Sequence, residues 1–272
     1  MTGNYYSRRS DLLACHLTNY FAFIARTTFL APKIIIGYAP AVRTYNLRAQ
    51  IDNKTHERIL IEEIKLDDTR QLQLMSEFCI DMFFKEDPGT EGQTFISRGW
   101  RDLKLRAMRQ AQMLDFSMPT GGNRSIFVAK NLCNDIVGCC EVIEEKFDLD
   151  YLEDFNSIGK RNRKKTGRMR PIIENLSVDT EYRRRGIGFD LVNACERAVQ
   201  GWIPKHDAIF AQVEEDNMSA FKLFRQAGYS ALFTDPTSTK VTLDGTLFVR
   251  EMTVSKVTLR KFLDNDVDFQ LF

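Results

Sequence analysis

The chain has 272 residues, and its 38 Lys and Arg against 37 Asp and Glu give a formal net charge of +1, too small for wholesale electrostatic binding to nucleic acid. A hydrophobic fraction of 43%, with 20 Phe and only 7 Pro, excludes a disordered composition and supports one globular domain around one core. The six cysteines (Cys15, Cys79, Cys133, Cys139, Cys140, Cys195) lack metal-ligand spacing and three His cannot complete a ligand set, so no metal is expected and the thiols read as reduced.

The charge is unevenly spread. Residues 1–50 hold six basic side chains (Arg8, Arg9, Arg26, Lys33, Arg43, Arg48) and one acid, Asp11, whereas the remainder has four more acids than bases. Together with the hydroxyl residues Ser7, Ser10, Thr18, Thr27 and Thr28, this is the composition of an organellar transit peptide. A secretory signal fits less well, because Arg26 follows the apolar patch and no small-residue cleavage site comes after it; a tail without an address is the plain alternative. Arg26 and Lys33 interrupt the apolar stretch 20–36, and a charge near a bilayer centre costs roughly 2.5–3.5 kcal/mol, so no transmembrane helix is expected. The folded domain is placed at residues 51–272.

From Arg58 to Leu66 the isoleucines predict a first strand, ended by the cap-forming Asp67-Asp68-Thr69. Leu72, Met75, Cys79, Met82 and Phe83 then recur at helical spacing up to Pro88-Gly89. A second helical pattern spans 98–114, with Arg98, Arg101, Lys104, Arg106 and Arg109 on an exposed face, and stops at the turn cluster Pro119-Thr-Gly-Gly122. Strands 125–130 and 135–143 form a hairpin through Asn131–Asn134, and Cys139 and Cys140 point to opposite faces of the second one. An acidic stretch (Glu144 to Asp154) and a basic one (Lys160 to Arg170) read as a charged loop inserted at 144–170. After Pro171 the pattern is strand 172–178, helix 187–199, strand 208–213, helix 219–227 and two further strands, 229–233 and 246–258. That βαβα alternation predicts locally parallel strands joined by crossover helices.

The informative segment is Asn175-Leu-Ser-Val-Asp-Thr-Glu-Tyr-Arg183-Arg-Arg-Gly186-Ile-Gly188. A buried strand runs into a turn with two glycines and three arginines that opens an amphipathic helix. Free N–H groups of the first helical turn, the positive end of the helix dipole, and glycines that admit close approach make this a cradle for a pyrophosphate. The third glycine of a dinucleotide fingerprint and the Gly-Lys-Ser/Thr of a nucleoside-triphosphate loop are both missing.

The segment resembles the acetyl-CoA signature of the GNAT superfamily of N-acetyltransferases, Arg/Gln-x-x-Gly-x-Gly/Ala, filled by Arg183, Gly186 and Gly188. A second block of that family is similar to Val213-Glu-Glu-Asp-Asn217-Met-Ser-Ala220-Phe-Lys-Leu-Phe224-Arg-Gln-Ala-Gly228-Tyr229. The resemblance implies an α+β, locally α/β fold, with a mixed central sheet of about six to seven strands, splayed between the fourth and fifth and flanked by about four helices. It implies acetyl transfer from acetyl-CoA to an amine, with no metal. The N–H groups of Arg184, Arg185, Gly186, Ile187 and Gly188 would hold the pyrophosphate. The pantetheine arm would pair with Leu176 to Val178, and the N–H of Val178, at a bulge near it, would face the thioester oxygen. Asn217 matches a residue that touches or fixes the pantetheine. Glu174 on the fourth strand is the candidate base, with Glu214 and Glu215 in reserve and a surface carboxylate as the plain alternative. Phe224 stands where many members place the Tyr that protonates the departing sulfur, which leaves water, Tyr182 or Tyr229 for that step.

Three functions remain open at this point. The first is a protein N-acetyltransferase acting on N-terminal α-amines or lysines, in a plastid as the leader suggests, with mitochondrion, cytoplasm or nucleus as alternatives. The second is a small-amine or amino-sugar acetyltransferase, and the third an acetyl-CoA-binding regulatory protein with weak or no activity. The basic residues 160–170 could recruit an acidic protein or an RNA-bearing particle, serve as a nuclear address, or simply pair with the acids at 144–154. No membrane partner is expected.

Overall fold

The computed structural model describes residues 50–51, 58–84, 95–117, 121–147, 168–243 and 249–263. The leader expected at 1–50, apart from Gln50, and the tip of the charged loop lie outside them.

The first helix, α1 (Thr69–Phe84), starts where Asp68 Oδ1 accepts the Gln71 N–H at 3.1 Å. Its Leu72, Met75 and Cys79, together with Phe116 of α2 (Phe95–Ser117), cover one face of a sheet. The opposite face is covered by α3 (Ile187–Gly201), whose Ile187, Leu191, Ala194, Cys195 and Ala198 recur at helical spacing and are all buried. Phe224 of the short helix α4 (Met218–Gln226) joins the same cluster.

The sheet has eight strands among the described residues. A two-residue strand, β1 (Gln50–Ile51), precedes those expected; β2 is Arg58–Ile64, β3 Arg124–Lys130, β4 Ile136–Phe147, β5 Arg168–Val178, β6 Ala208–Glu214, β7 Ser230–Leu243 and β8 Val249–Phe262. The order is β1-β2-β3-β4-β5-β6-β8-β7, antiparallel at every step except β5 to β6. The family's fourth and fifth strands are therefore β5 and β6 here. Of the parallel neighbours expected from the βαβα pattern, only β5 and β6 are adjacent, because β8 inserts between β6 and β7.

Strands buried on both faces explain the near-continuous apolar text of β3 and β4. Phe127, Ala129, Cys140 and Val142 face α3, and Ile126, Val128 and Cys139 face α1 and α2, so the adjacent cysteines do point to opposite sides.

Two expectations are corrected. Residues 144–147 and 168–170 belong to β4 and β5 rather than to a loop; opposite charges face each other across the ladder, as Glu145 does Arg170, and extend the pairing. On α2, Arg109 is not a free surface charge but pairs with Asp81 of α1. The buried anchor of α2, Phe116, lies past the end at 114 that the sequence suggested.

Candidate active site

β5 and β6 are paired only at Ile172 with Phe210 and Ile173 with Ala211. Beyond that point β5 stays with β4 as far as Val178, and β6 stays with β8 as far as Glu214, so the two strands diverge. Asp179 N–H donates to the Val137 carbonyl on the β4 side at 2.9 Å. By the alternation of an extended strand, the N–H groups of Val178 and Leu176 face the open edge. A splay with free backbone donors along one side results.

A bulge accompanies the divergence. Glu174 lies opposite Glu141 and Ser177 opposite Cys139, so β5 carries one residue more than β4 over this interval. The extra residue sits at Asn175, whose φ is 52°, three residues before the position near Val178 expected from the sequence. Asn enters the left-handed region more readily than its apolar neighbours in the strand.

The end of β5 leads into the anion cradle. Asp179 accepts the Glu181 N–H at 2.9 Å and caps a single 3₁₀ turn, Thr180–Tyr182. Arg183 Nε donates to the Val178 carbonyl at 3.0 Å, and Arg185 Nη2 donates to the Glu181 carbonyl at 2.9 Å while its guanidinium lies 4.8 Å from the Tyr182 ring centre. These two arginines thus fasten the turn, in addition to making it electropositive. Arg184 (φ 66°) and Gly186 (φ 85°) are both left-handed, and they turn the chain into α3. The first bond of that helix runs from Asp190 N–H to the Gly186 carbonyl at 3.0 Å, which leaves the N–H groups of Ile187, Gly188 and Phe189 ahead of it unused by the helix. At Gly188 a Cβ would stand 2.6 Å from Leu223 Cδ1, so a larger residue here obliges the Leu223 side chain on α4 to shift.

Glu174 follows the last pair that joins β5 to β6. Its side chain is crowded by protein yet keeps an exposed surface, the situation of a wall position in an open cleft. Burial, then the like charges of Glu145, Glu141 and Asp115, push its carboxyl up to about 7, with Arg124 opposing. The reserve carboxylates are less suited: Glu214 is bridged to Lys240, and Glu215 is exposed beyond the end of β6.

Asn217 Oδ1 caps α4 by accepting the Ala220 N–H at 3.1 Å, leaving the amide Nδ2 as its remaining donor. Phe224, expected among the cofactor contacts, is 3% exposed and packs edge-on against Tyr229, with ring centres 5.0 Å apart. Tyr229 is equally buried, and burial followed by Glu196 pushes its phenol far above the ordinary value, so it is not a proton donor to the cleft. Tyr182 stays partly exposed, its hydroxyl accepting from Asn131 Nδ2 at 3.4 Å.

Three residues that sequence reasoning passed over converge on the bulge: Asn175, Glu141 and Arg124. Each left a signal, since Asn is uncommon inside a strand, and Arg124 and Glu141 stand in strand text that is otherwise mostly apolar.

Comparison with known proteins places this geometry in context. The family model described as Acetyltransferase (GNAT) family matches residues 94–229. No curated protein sequence matches the chain significantly. Solved structures with a similar chain course include an acetyltransferase of the GNAT family from Streptococcus pneumoniae, at 12% identity and TM-score 0.47, covering 76% of this chain and 99% of that one. A GNAT superfamily phosphinothricin acetyltransferase from Sinorhizobium meliloti, solved with AcCoA, is similar at 11% identity and TM-score 0.47, covering 79% and 93%. Arabidopsis thaliana NAA60 in complex with acetyl-CoA is similar at 14% identity and TM-score 0.44, covering 75% and 98%.

Replacing Gly188 by Val should displace the Leu223 side chain from its place between α3 and α4 and lower stability by about 1–3 kcal/mol, the usual cost of overpacking. Urea unfolding followed by circular dichroism measures this, and an unchanged midpoint would contradict the close contact of Gly188 with Leu223.

Proposed function

Because the chain belongs to the GNAT acetyltransferase family, we propose that it transfers acetyl from acetyl-CoA to a protein amine, an N-terminal α-amine or a lysine, with Glu174 as general base. The observation that carries this reading is the coincidence, on one strand, of an open backbone edge, a helix-end anion cradle beyond the strand's C-terminal end and a carboxylate with raised pKa where the open edge begins.

The residues present fit acetyl-CoA. The unused N–H groups at the start of α3, with Gly186 and the electropositive turn, suit a pyrophosphate. The outward N–H groups of Leu176 and Val178 suit the amides of an extended pantetheine arm, as an added strand would. In the transfer, an N–H of the open edge at or beside the bulge, Leu176 or Val178, stabilises negative charge on the thioester oxygen. Glu174 takes a proton from the substrate ammonium, directly or through one water, so that the amine nitrogen can attack the carbonyl carbon. The C–N bond forms, the C–S bond breaks, the nitrogen gives up its second proton to water, and CoA leaves as a thiolate. With Phe224 in the core, the proton for that sulfur comes from water, and a thiol pKa of roughly 8.5 makes unassisted departure tolerable.

The exposed carboxylates Glu174 and Glu145, near each other on β5 and β4, favour a cationic acceptor that can be large. Phe224 is the observation that favours a second reading, an acetyl-CoA-binding regulator of weak activity. The acid-poor composition of residues 1–50 supports a plastid address. Incubation with acetyl-CoA and either acceptor peptides or small amines, with detection of free thiol, separates these readings. Thiol release with peptides supports the first; binding without release supports the second.

A base must be deprotonated to work, so kcat/KM should rise with pH through about 7, and Glu174→Gln should abolish that rise and lower the rate at neutral pH by about 10²-fold or more. A wild-type pH profile in Glu174→Gln would remove Glu174 from the mechanism.

A further inference from the structure

We propose that Arg124, Glu141 and Asn175 form a buried positioning chain that holds the β5 bulge and thereby sets the placement of Glu174; this rests on the reading of Glu174 as the base. Side chains of β4 and α1 bond one residue of β5, and β3 and α2 connect to it through Glu141. The Arg124 and Glu141 side chains are 3% and 1% exposed, and Arg124 Nη2 donates to Glu141 Oε1 at 2.9 Å. The other side of the guanidinium reaches α2, donating to the Asp115 carbonyl at 2.6 Å and to Asp115 Oδ2 at 3.0 Å. Glu141 Oε2 then accepts from Asn175 Nδ2 at 3.5 Å. From α1, Cys79 Sγ donates to Asn175 Oδ1 at 3.7 Å, and from β4, Cys139 Sγ donates to the Asn175 carbonyl at 3.3 Å. The Cys79 contact, then burial, push the Cys139 thiol up, so it is a neutral donor.

A buried ion pair is a poor source of net stability, because the cost of removing both charges from water offsets most of their attraction. What this one does supply is a fixed point. The side chain of Asn175 is held at both its oxygen and its nitrogen while its backbone is left-handed, so relaxing the bulge into regular pairing would give up both contacts. A relaxed β5 would shift Glu174 by one register position and turn it to the other face.

The chain also bears on the charge at Glu174. The charged groups around that carboxylate are Glu145 and Glu141 on β4, Asp115 on α2 and Arg124 on β3. Burial is drawing Arg124 down, but Glu141 and Asp115 outweigh it and hold the guanidinium above its ordinary value. Removing the Glu141 charge leaves Arg124 less compensated and takes one like charge away from Glu174. Both changes favour the ionised form of Glu174, so its pKa falls.

The test is the pH profile of kcat/KM for the full chain, with acetyl-CoA and an acceptor peptide, followed by thiol release. Glu141→Gln keeps the shape and a hydrogen bond to Arg124 but turns an amide NH2 toward Asn175 Nδ2, so it should move the rising limb to lower pH by about one unit and also lower kcat/KM. Asp115→Asn, at a side chain 63% exposed and so of little risk to the fold, should move it the same way by less. Asn175→Gly keeps the left-handed backbone accessible but removes both side-chain bonds, and should lower kcat/KM about tenfold or more through misplacement of the base. If Glu174→Gln abolishes the limb while Glu141→Gln and Asp115→Asn leave it in place, the positioning chain is overturned and the base stands. If Glu174→Gln retains the limb, both fall.

Discussion

Hydrogen bonding between β5 and β6 stops after two residue pairs, and the candidate active site follows from that stop. Backbone N–H and C=O groups in a sheet normally find partners, and a parallel pair inside a sheet covered on both faces has every reason to continue. Here it does not, because β4 and β8 draw the two strands apart and the bulge at Asn175 takes up the extra residue. The edges so exposed carry donors in extended geometry, which suits a ligand that is itself an extended chain of amides.

The rest of the molecule supports that opening. Leu191, Val192 and Cys195 of α3 pack on one face of β3 to β5, and α1 with Phe116 of α2 packs on the other, so the splay is framed by two cores rather than left to a flexible loop. The same helix α3 that closes one core presents its N-terminal N–H groups at the mouth of the splay. Gly186 makes the turn possible and Gly188 leaves room for the Leu223 side chain of α4. Packing and binding are thus set by the same few residues, with Val178 touching both: its side chain packs against the α3 cluster and its N–H faces the open edge.

Much of this was legible in the sequence. The Arg183–Gly188 turn announces a helix-end anion site because only a few residue types permit it, and the apolar spacing from Ile187 to Ala198 names the buried face of α3 without ambiguity. Glu174 was legible as a candidate because it interrupts a buried strand just before that turn. The bulge was misplaced by three residues, since its position depends on register with β4, a non-local quantity that strand text does not contain. The Arg124–Glu141–Asn175 chain was missed for the same reason: its members are far apart in sequence and each looks like an isolated polar residue in an apolar strand. Phe224 shows the opposite case, where family position suggested a cofactor contact but an aromatic ring without a hydroxyl prefers the core beside Tyr229.

If acetyl-CoA occupies the splay as proposed, its pantetheine arm pairs with the open edge of β5. Amide hydrogen exchange resolved to single residues, with and without acetyl-CoA, tests it most directly. Saturating acetyl-CoA should slow exchange at Leu176 and Val178 together with Ile187 to Phe189, while β2 and β3 stay as they were. Unchanged exchange at Leu176 and Val178 in the liganded protein would contradict it.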